Sequence, residues 1–360
     1  MIFNNRVTDI TYQEILPSLV DQINNSNVFT ARVLQSFVSP WKGIAELQPV
    51  QIANSTTGGS FSGMDVFPTS ATNNTRSMTW YVKAYEQSIV IPGIERSVNA
   101  DTEKQAISLV SAKMDEARIS AAVNIGTQFY GTGLGNDFEG LGLIVDDGTA
   151  TASYAGITRA TNPWVNGYLI AAPAGVLSLD LLGQTHDAVR AATSQSESPT
   201  IGLTTKSIFT LFESLLTPTI TSMYTPVNVS GYNVITGKTP NGRSLAGNTD
   251  LKGLAGFCAI TYRGLQVAAD DMCPDGLFFF LNENYISFDR LKLVELRDIT
   301  SSVEVTEGYY KDVPFPSTFQ FRDFIMPVQQ YGWLGFLLLA GQLKHRQPRR
   351  NGVIKAISTV

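Results

Sequence analysis

The chain has 360 residues, a net charge of −5, and 16% charged residues against 43% hydrophobic and 10% aromatic. That excludes a disordered chain and a protein that grips nucleic-acid phosphate over its whole surface. Charge well below the roughly 25% of an average soluble chain fits two readings: a surface largely buried against copies of itself, or a secreted β-rich protein with an uncharged exterior.

The opening MIFNNRVTDI has neither the basic start nor the apolar run of a signal peptide. Tyr12, Ile15, Leu16, Leu19, Val20 and Ile23 recur at helical spacing around Pro17, and a second short helical segment is expected over 28–38. Residues 44–53 read as a strand interrupted by Pro49. Residues 78–91 alternate, with Met78, Trp80, Val82 and Ala84 on one face and Thr79, Tyr81, Lys83 and Tyr85 on the other. The Ser/Thr-rich stretch 54–76 between them, with one acid and one base, makes the tip of a two-stranded ribbon. Its second strand alone would reach on the order of 45 Å. An isolated ribbon is marginal in water, so it needs another surface to lie on.

The period then changes. Residues 99–130 predict a rod-like helix of roughly 40 Å, capped by Asn99 or Asp101, with Ile107, Val110, Met114, Ala117 and Ala121 as its apolar stripe. Gly131 and Gly133 stop it. Residues 140–167 are rich in Gly and Thr and read as too polar for core, with Arg159 and Trp164 standing alone among small residues. Helices are expected over 178–192, capped by Ser178, and over 205–216, with strands over 200–203, 232–236, 256–262, 277–281 and 285–288. Residues 319–360 read as mostly strand, broken by the basic run KHRQPRR, a turn facing solvent or another subunit. The run 331–341 is too short to cross a bilayer.

Little in this pattern carries chemistry. His186 and His345 have no Cys or His companion at metal spacing. The glycines at 131, 133 and 135 follow a helix, whereas a phosphate loop precedes one. The pairs Asp146-Asp147 and Asp270-Asp271 read as solvated turns. Cys258 and Cys273 make no disulfide framework; they could pair with each other, but reduced buried thiols are the expectation.

Four local stretches, in order, resemble one family. They are Ser60-Phe61-Ser62-Gly63 with Asn74-Thr75 and Met78-Thr79-Trp80; Ile91-Pro92-Gly93-Ile94-Glu95 with Asn99; Gly156-Ile157-Thr158-Arg159 with Asn162-Pro163-Trp164; and Gln347-Pro348-Arg349-Arg350-Asn351-Gly352-Val353. The chain resembles the major capsid proteins of tailed bacteriophages, the Hong Kong 97-like family, from about residue 44 to 355. Thr158 stands where the family usually has Asp, and Val165 where a second aromatic or an Arg is common.

The resemblance implies an α+β chain with an N-terminal arm (1–43), an extended loop (44–91), a peripheral domain with a spine helix (92–165), an axial domain (166–315) and peripheral return strands (316–360). It implies assembly of copies into hexamers and pentamers of an icosahedral shell around viral DNA, made in the host cytoplasm. Scaffold, portal and decoration proteins are possible partners, packaged DNA a weak nonspecific one, and no membrane, cofactor, metal or catalysis is expected. Phe61, Phe67, Arg76, Trp80, Arg159, Trp164, Arg349 and Arg350 are the candidate inter-subunit contacts. Trp164 would anchor residues 140–167 to the core, and Arg159 would form a salt bridge within or between subunits. A cellular nanocompartment shell of the same fold is the alternative, and a secreted adhesive protein a third.

Overall fold

The computed structural model describes residues 27–36, 38–55, 57–66, 72–98, 109–191, 198–216, 259–295, 308–309, 311–312, 319–327 and 331–358. Helix α1 (Val28–Ser36) leads into β1 (Val38–Pro40). A ribbon of β2 (Ala45–Gln51) and β3 (Thr75–Tyr81) follows, then β4 (Lys83–Pro92), the short α2 (Gly93–Val98) and the long α3 (Leu109–Tyr130). After α3 come one turn of helix, α4 (Leu141–Ile144), a tight hairpin of β5 (Ser153–Tyr154) and β6 (Ile157–Thr158), and β7 (Tyr168–Ala171). Helix α5 (Leu179–Ala191), β8 (Ile201–Thr204) and α6 (Lys206–Leu216) precede β9 (Ala259–Tyr262), β10 (Leu265–Ala269), β11 (Phe278–Leu281) and β12 (Ile286–Leu291). The last strands are β13 (Val294–Glu295), β14 (Gly308–Tyr309), β15 (Lys311–Asp312), β16 (Gln320–Ile325), β17 (Gly332–His345) and β18 (Gly352–Lys355).

Two six-stranded sheets organise these elements into an α+β fold. The first is built around the 14-residue β17. It pairs antiparallel with β4 along Gly332–Gly341, with β16 near Leu334–Leu338 and with β12 along Ala340–His345. The second runs β7-β18-β11-β8-β10-β9. Because β12 belongs to the first sheet and β18 to the second, sheet membership does not follow the expected boundaries at 166–315 and 316–360.

Helix α3 packs on β4 in the first sheet. Ala117, Ala121, Ile125 and Phe129 recur every fourth residue and are buried, so they form one face of the helix. The expected stripe therefore continues past Ala121, while its beginning at Ile107 and the caps at 99–101 lie outside the described residues. Gly126 lets α1 approach: a Cβ there would stand 2.3 Å from Asn27 Nδ2, which donates to the Ala122 carbonyl at 2.7 Å. The N-terminus of α1 is fastened to the body, with the Phe29 N–H donating to Asp270 Oδ2 at 2.8 Å and Arg32 forming a buried bidentate pair with Glu283. Helices α5 and α6 build a second core against β10, β11 and β18, through Leu182, Ile208, Phe212, Val267, Phe278 and Ile354. Ser178 Oγ accepts the Leu181 N–H and caps α5 as expected.

The structure corrects several expectations. The strand expected over 78–91 is two strands, β3 and β4, which pair with different partners. Buried positions are even in β3 (Met78, Trp80) and odd in β4 (Ile89, Ile91), so the alternation changes phase at Val82 and Ala84 is exposed. Residues 140–167 are not a polar surface connector: Leu141, Ile144, Val145, Tyr154, Arg159 and Val165 are all buried. Each acidic pair has one buried member, Asp146 and Asp270, rather than two solvated ones. In the basic run, Lys344 and His345 are buried. The helix expected over 12–23, the strand over 232–236 and Cys258 lie outside the described residues, while Cys273 is a buried free thiol.

Candidate assembly surfaces

Strands β2 and β3 pair from Ala45 with Tyr81 to Gln51 with Thr75, and form a sheet of their own. Pro49 sits within β2, opposite Ser77, because an edge strand tolerates a missing donor. Ile44, Leu47, Phe61, Met64, Val66 and Tyr81 on the ribbon and its tip are all exposed, Met64 at 98% and Val66 at 96%. The ribbon thus carries exposed apolar side chains.

Its root, by contrast, is tightly held. The Trp80 indole donates to the Tyr154 hydroxyl at 3.4 Å, and that hydroxyl contacts both the carbonyl and the N–H of His345. Ala155 and Gly156 both adopt positive φ, as the two-residue turn between β5 and β6 requires, and the Ala155 carbonyl accepts the Thr79 N–H at 2.9 Å. Lys344 on β17 pairs with Glu46 on β2 and with Asp289 on β12, and its ammonium lies 5.6 and 5.3 Å from the Trp41 and Trp80 rings. This cluster ties the ribbon to the first sheet, and sequence reasoning missed all three charged members. Glu46 is 298 residues from Lys344, and no local pattern joins them.

Residues 140–167 are ordered by two buried groups. Asp146 accepts the Thr151 hydroxyl and N–H at 2.8 and 2.7 Å and the Gly148 N–H at 3.2 Å. Burial works against its ionisation, but these hydrogen bonds and the neighbouring Arg159 hold its carboxyl below the usual carboxylate range. Arg159, 1% exposed, donates Nη1 to the carbonyls of Asp146 and Val165 at 2.7 and 2.9 Å and Nη2 to that of Leu143. Its guanidinium works as a hub for backbone carbonyls within the subunit, and among the described residues it forms no salt bridge.

The last turn, Pro348–Arg350, packs against α5 and the Pro163–Val165 turn. His345 is fully buried: its Nδ1 accepts the Gln347 N–H at 3.1 Å, and burial depresses its pKa to about 3. Arg350 stacks over Tyr285 at 4.7 Å. A cavity of about 490 Å³ opens between the two turns, lined by Pro163, Trp164, Asn166, Gly167, Tyr168, Ala188 and Arg349.

The eight candidate contact residues therefore separate. Phe61, Arg76 and Arg349 are exposed, Trp164 and Arg350 are half-buried, and Phe67 lies outside the described residues. Trp80 and Arg159 are buried inside the subunit. Trp164 and Arg349 come together at the cavity. Lys83 does not share an outward face with Tyr81. Its amine donates to the carbonyls of Gly133, at 3.0 Å, and Asp137. Among the described residues, no group of His, Cys, Asp and Glu could hold a metal ion, and no helix is long and apolar enough to cross a membrane.

No family model matches the chain, and no curated protein matches it by sequence. Solved structures do match over nearly their whole length. The capsid asymmetric unit of cyanophage A-1(L) aligns at a TM-score of 0.65 and 15% identity, covering 99% of both chains. The capsid of a native GTA particle gives 0.57 at 10% identity, over 96% of this chain and 95% of that one. A holo-SrpI encapsulin complex from Synechococcus elongatus gives 0.56 at 11% identity, over 100% and 97%. With its ribbon, its long helix across the first sheet and its second sheet with two helices, this chain has the Hong Kong 97-like fold of tailed-phage capsid proteins.

Proposed function

We propose that the chain is a major capsid protein that self-assembles, as hexamers and pentamers, into an icosahedral shell enclosing a viral DNA genome. The carrying observation is the ribbon, rooted by a buried ion cluster yet exposing Ile44, Leu47, Phe61, Met64, Val66 and Tyr81. A two-stranded ribbon does not stand alone in water, and large uncovered apolar surface marks an interaction site. Neighbouring copies related by symmetry supply the cover. The full-length likeness to capsid subunits supports the reading. The first sheet with α3 then serves as the peripheral domain and the second sheet with α5 and α6 as the axial domain. The net charge of −5 suits weak contact with DNA that must later leave. Scaffold, portal and decoration proteins are the further partners of this reading, the virion its location after synthesis in the host cytoplasm, and catalysis is no part of it.

The encapsulin likeness supports a second reading, a nanocompartment shell loaded with a protein cargo. Electron microscopy of the purified chain tests both: closed shells are expected, and soluble monomers at all concentrations would refute either. Particles recovered from infected host cells separate the two. Nuclease-protected DNA is expected of a capsid, whereas a co-purifying enzyme without DNA identifies a nanocompartment.

A further inference from the structure

We propose that the cavity between the Pro163–Val165 and Pro348–Arg350 turns is a receptor for the ribbon tip of a second copy of this chain, with Arg349 receiving that copy's Asp65. The inference rests on the shell reading and adds a specific site to it. The cavity, about 490 Å³, has an apolar wall of Pro163, Trp164 and Tyr168 and a cationic rim at Arg349. Arg349 is exposed and has no ion pair among the described residues. In the wall, Trp164 Nε1 and Asn166 Oδ1 are shielded from water and have no hydrogen-bond partner among the described residues. Buried polar groups are almost always paired, so these two orphaned atoms mark a wall whose packing is incomplete in the isolated subunit. Tyr168 starts β7, which ends the second sheet and has a strand on one side only among the described residues.

The tip supplies the matching chemistry. Asp65 is the only acid between residues 54 and 76. It stands between Met64 and Val66, the two most exposed large apolar residues of the described chain. Its Oδ2 accepts the Ser62 N–H at 2.7 Å, which fixes the turn, and the residue is exposed. An apolar–acid–apolar triplet thus faces an apolar wall with a cationic rim. Among the described residues no hydrogen bond or ion pair joins the tip to its own subunit's cavity, and it is this complementarity of charge and apolar surface that selects a second copy as the occupant.

A charge exchange in the full-length chain tests this. Asp65→Arg and Arg349→Asp should each lower the yield of closed shells at least ~tenfold, and the double variant should return it to within about twofold of the unaltered chain. Arg349→Gln, at an exposed position, should reproduce the single loss without reversing the charge. A second arm needs no assembly. A synthetic peptide of residues 58–68 is titrated onto the purified full-length chain and followed by tryptophan fluorescence, with Trp164→Phe as the blank. Saturable binding is expected, at least ~tenfold weaker for the peptide carrying Asp65→Asn and for the Arg349→Asp chain. A double variant that fails to rescue, or a peptide that binds the Arg349→Asp chain equally well or does not bind at all, overturns the receptor. Failure of the unaltered chain to close would sink the shell reading instead, and the peptide arm would still decide the receptor.

Discussion

Replacing Lys344 by Met tests how the ribbon is held. The Lys344 side chain is 5% exposed, against 20% for Glu46 and 7% for Asp289. Methionine preserves much of the aliphatic stem packed near Trp41 and Trp80 and deletes the charge. Two carboxylates then face each other in a low-dielectric site without their cation. Removing one partner of a buried pair costs ~3–5 kcal/mol. Glu46 is the most exposed of the three and water relieves part of its penalty, so the expected loss is about 3 kcal/mol. Urea unfolding of the purified subunit, with an unchanged dependence on denaturant, measures it. Adding Glu46→Gln and Asp289→Asn removes the stranded charges, and the triple variant should return to within about 1 kcal/mol of the unaltered chain. A Lys344→Met subunit that itself unfolds within about 1 kcal/mol of the unaltered chain would refute the reasoning. The bridge would then be worth no more than a surface pair, and Trp80 with the backbone bonds around Tyr154 would hold the root alone.

What could be read from the sequence follows from how local each signal is. Helix α3 was legible because a stripe at three-to-four spacing needs only neighbouring residues to declare it, and its buried face holds through Ala117 and Ala121 to Phe129. The Ser178 cap and β11 were legible for the same reason. The division of β3 from β4 was not. A one-residue change of phase at Val82 leaves alternation intact on either side, and only the pairing of β4 with β17 shows which face is inward. The buried polar groups were hidden for a different reason. Burial of Lys344, Arg159 or Asp270 is tolerable only beside its partner, and those partners are carboxylates for Lys344, carbonyls for Arg159 and backbone N–H groups for Asp270, all set by tertiary structure. Composition therefore read 140–167 as surface, while the Arg159 hub makes its carbonyls part of the core.

Two further substitutions, one deletion and one covalent test check the remaining claims. Arg159→Met leaves the Val165 and Leu143 carbonyls without their donor, while the Asp146 carbonyl keeps the Gly167 N–H; at ~1–3 kcal/mol for each unsatisfied group urea unfolding should show a loss of at least about 2 kcal/mol, and a smaller loss refutes the hub. Deleting residues 56–73 should change subunit stability by less than about 1 kcal/mol, since loop length costs little, yet abolish closed shells by electron microscopy; shells of normal heat resistance would contradict the role given to the tip. Because Lys83 donates to the Gly133 and Asp137 carbonyls and the tip has no Lys, particles boiled in reducing detergent should run as one monomer band, and a ladder of multimers would show covalent welding. The last test is of pH. Native His345 stays neutral down to about pH 3, whereas in the unfolded chain it takes a proton near ~6.5. Between those values the unfolded state binds more protons, so stability is full above the upper value and falls as pH is lowered towards the lower one, by on the order of 1.4 kcal/mol per pH unit. Asp270 has the opposite sign: burial raises its native pKa, so acidification relieves its buried charge and works against the loss. The comparison with His345→Gln isolates the histidine, because Asp270 is present in both chains. Relative to the parent, the variant should become steadily more stable as pH falls from about 6.5 to 4. Parallel curves over that range would mean that His345 is protonated in the folded subunit, and that the last turn of the chain is open to water.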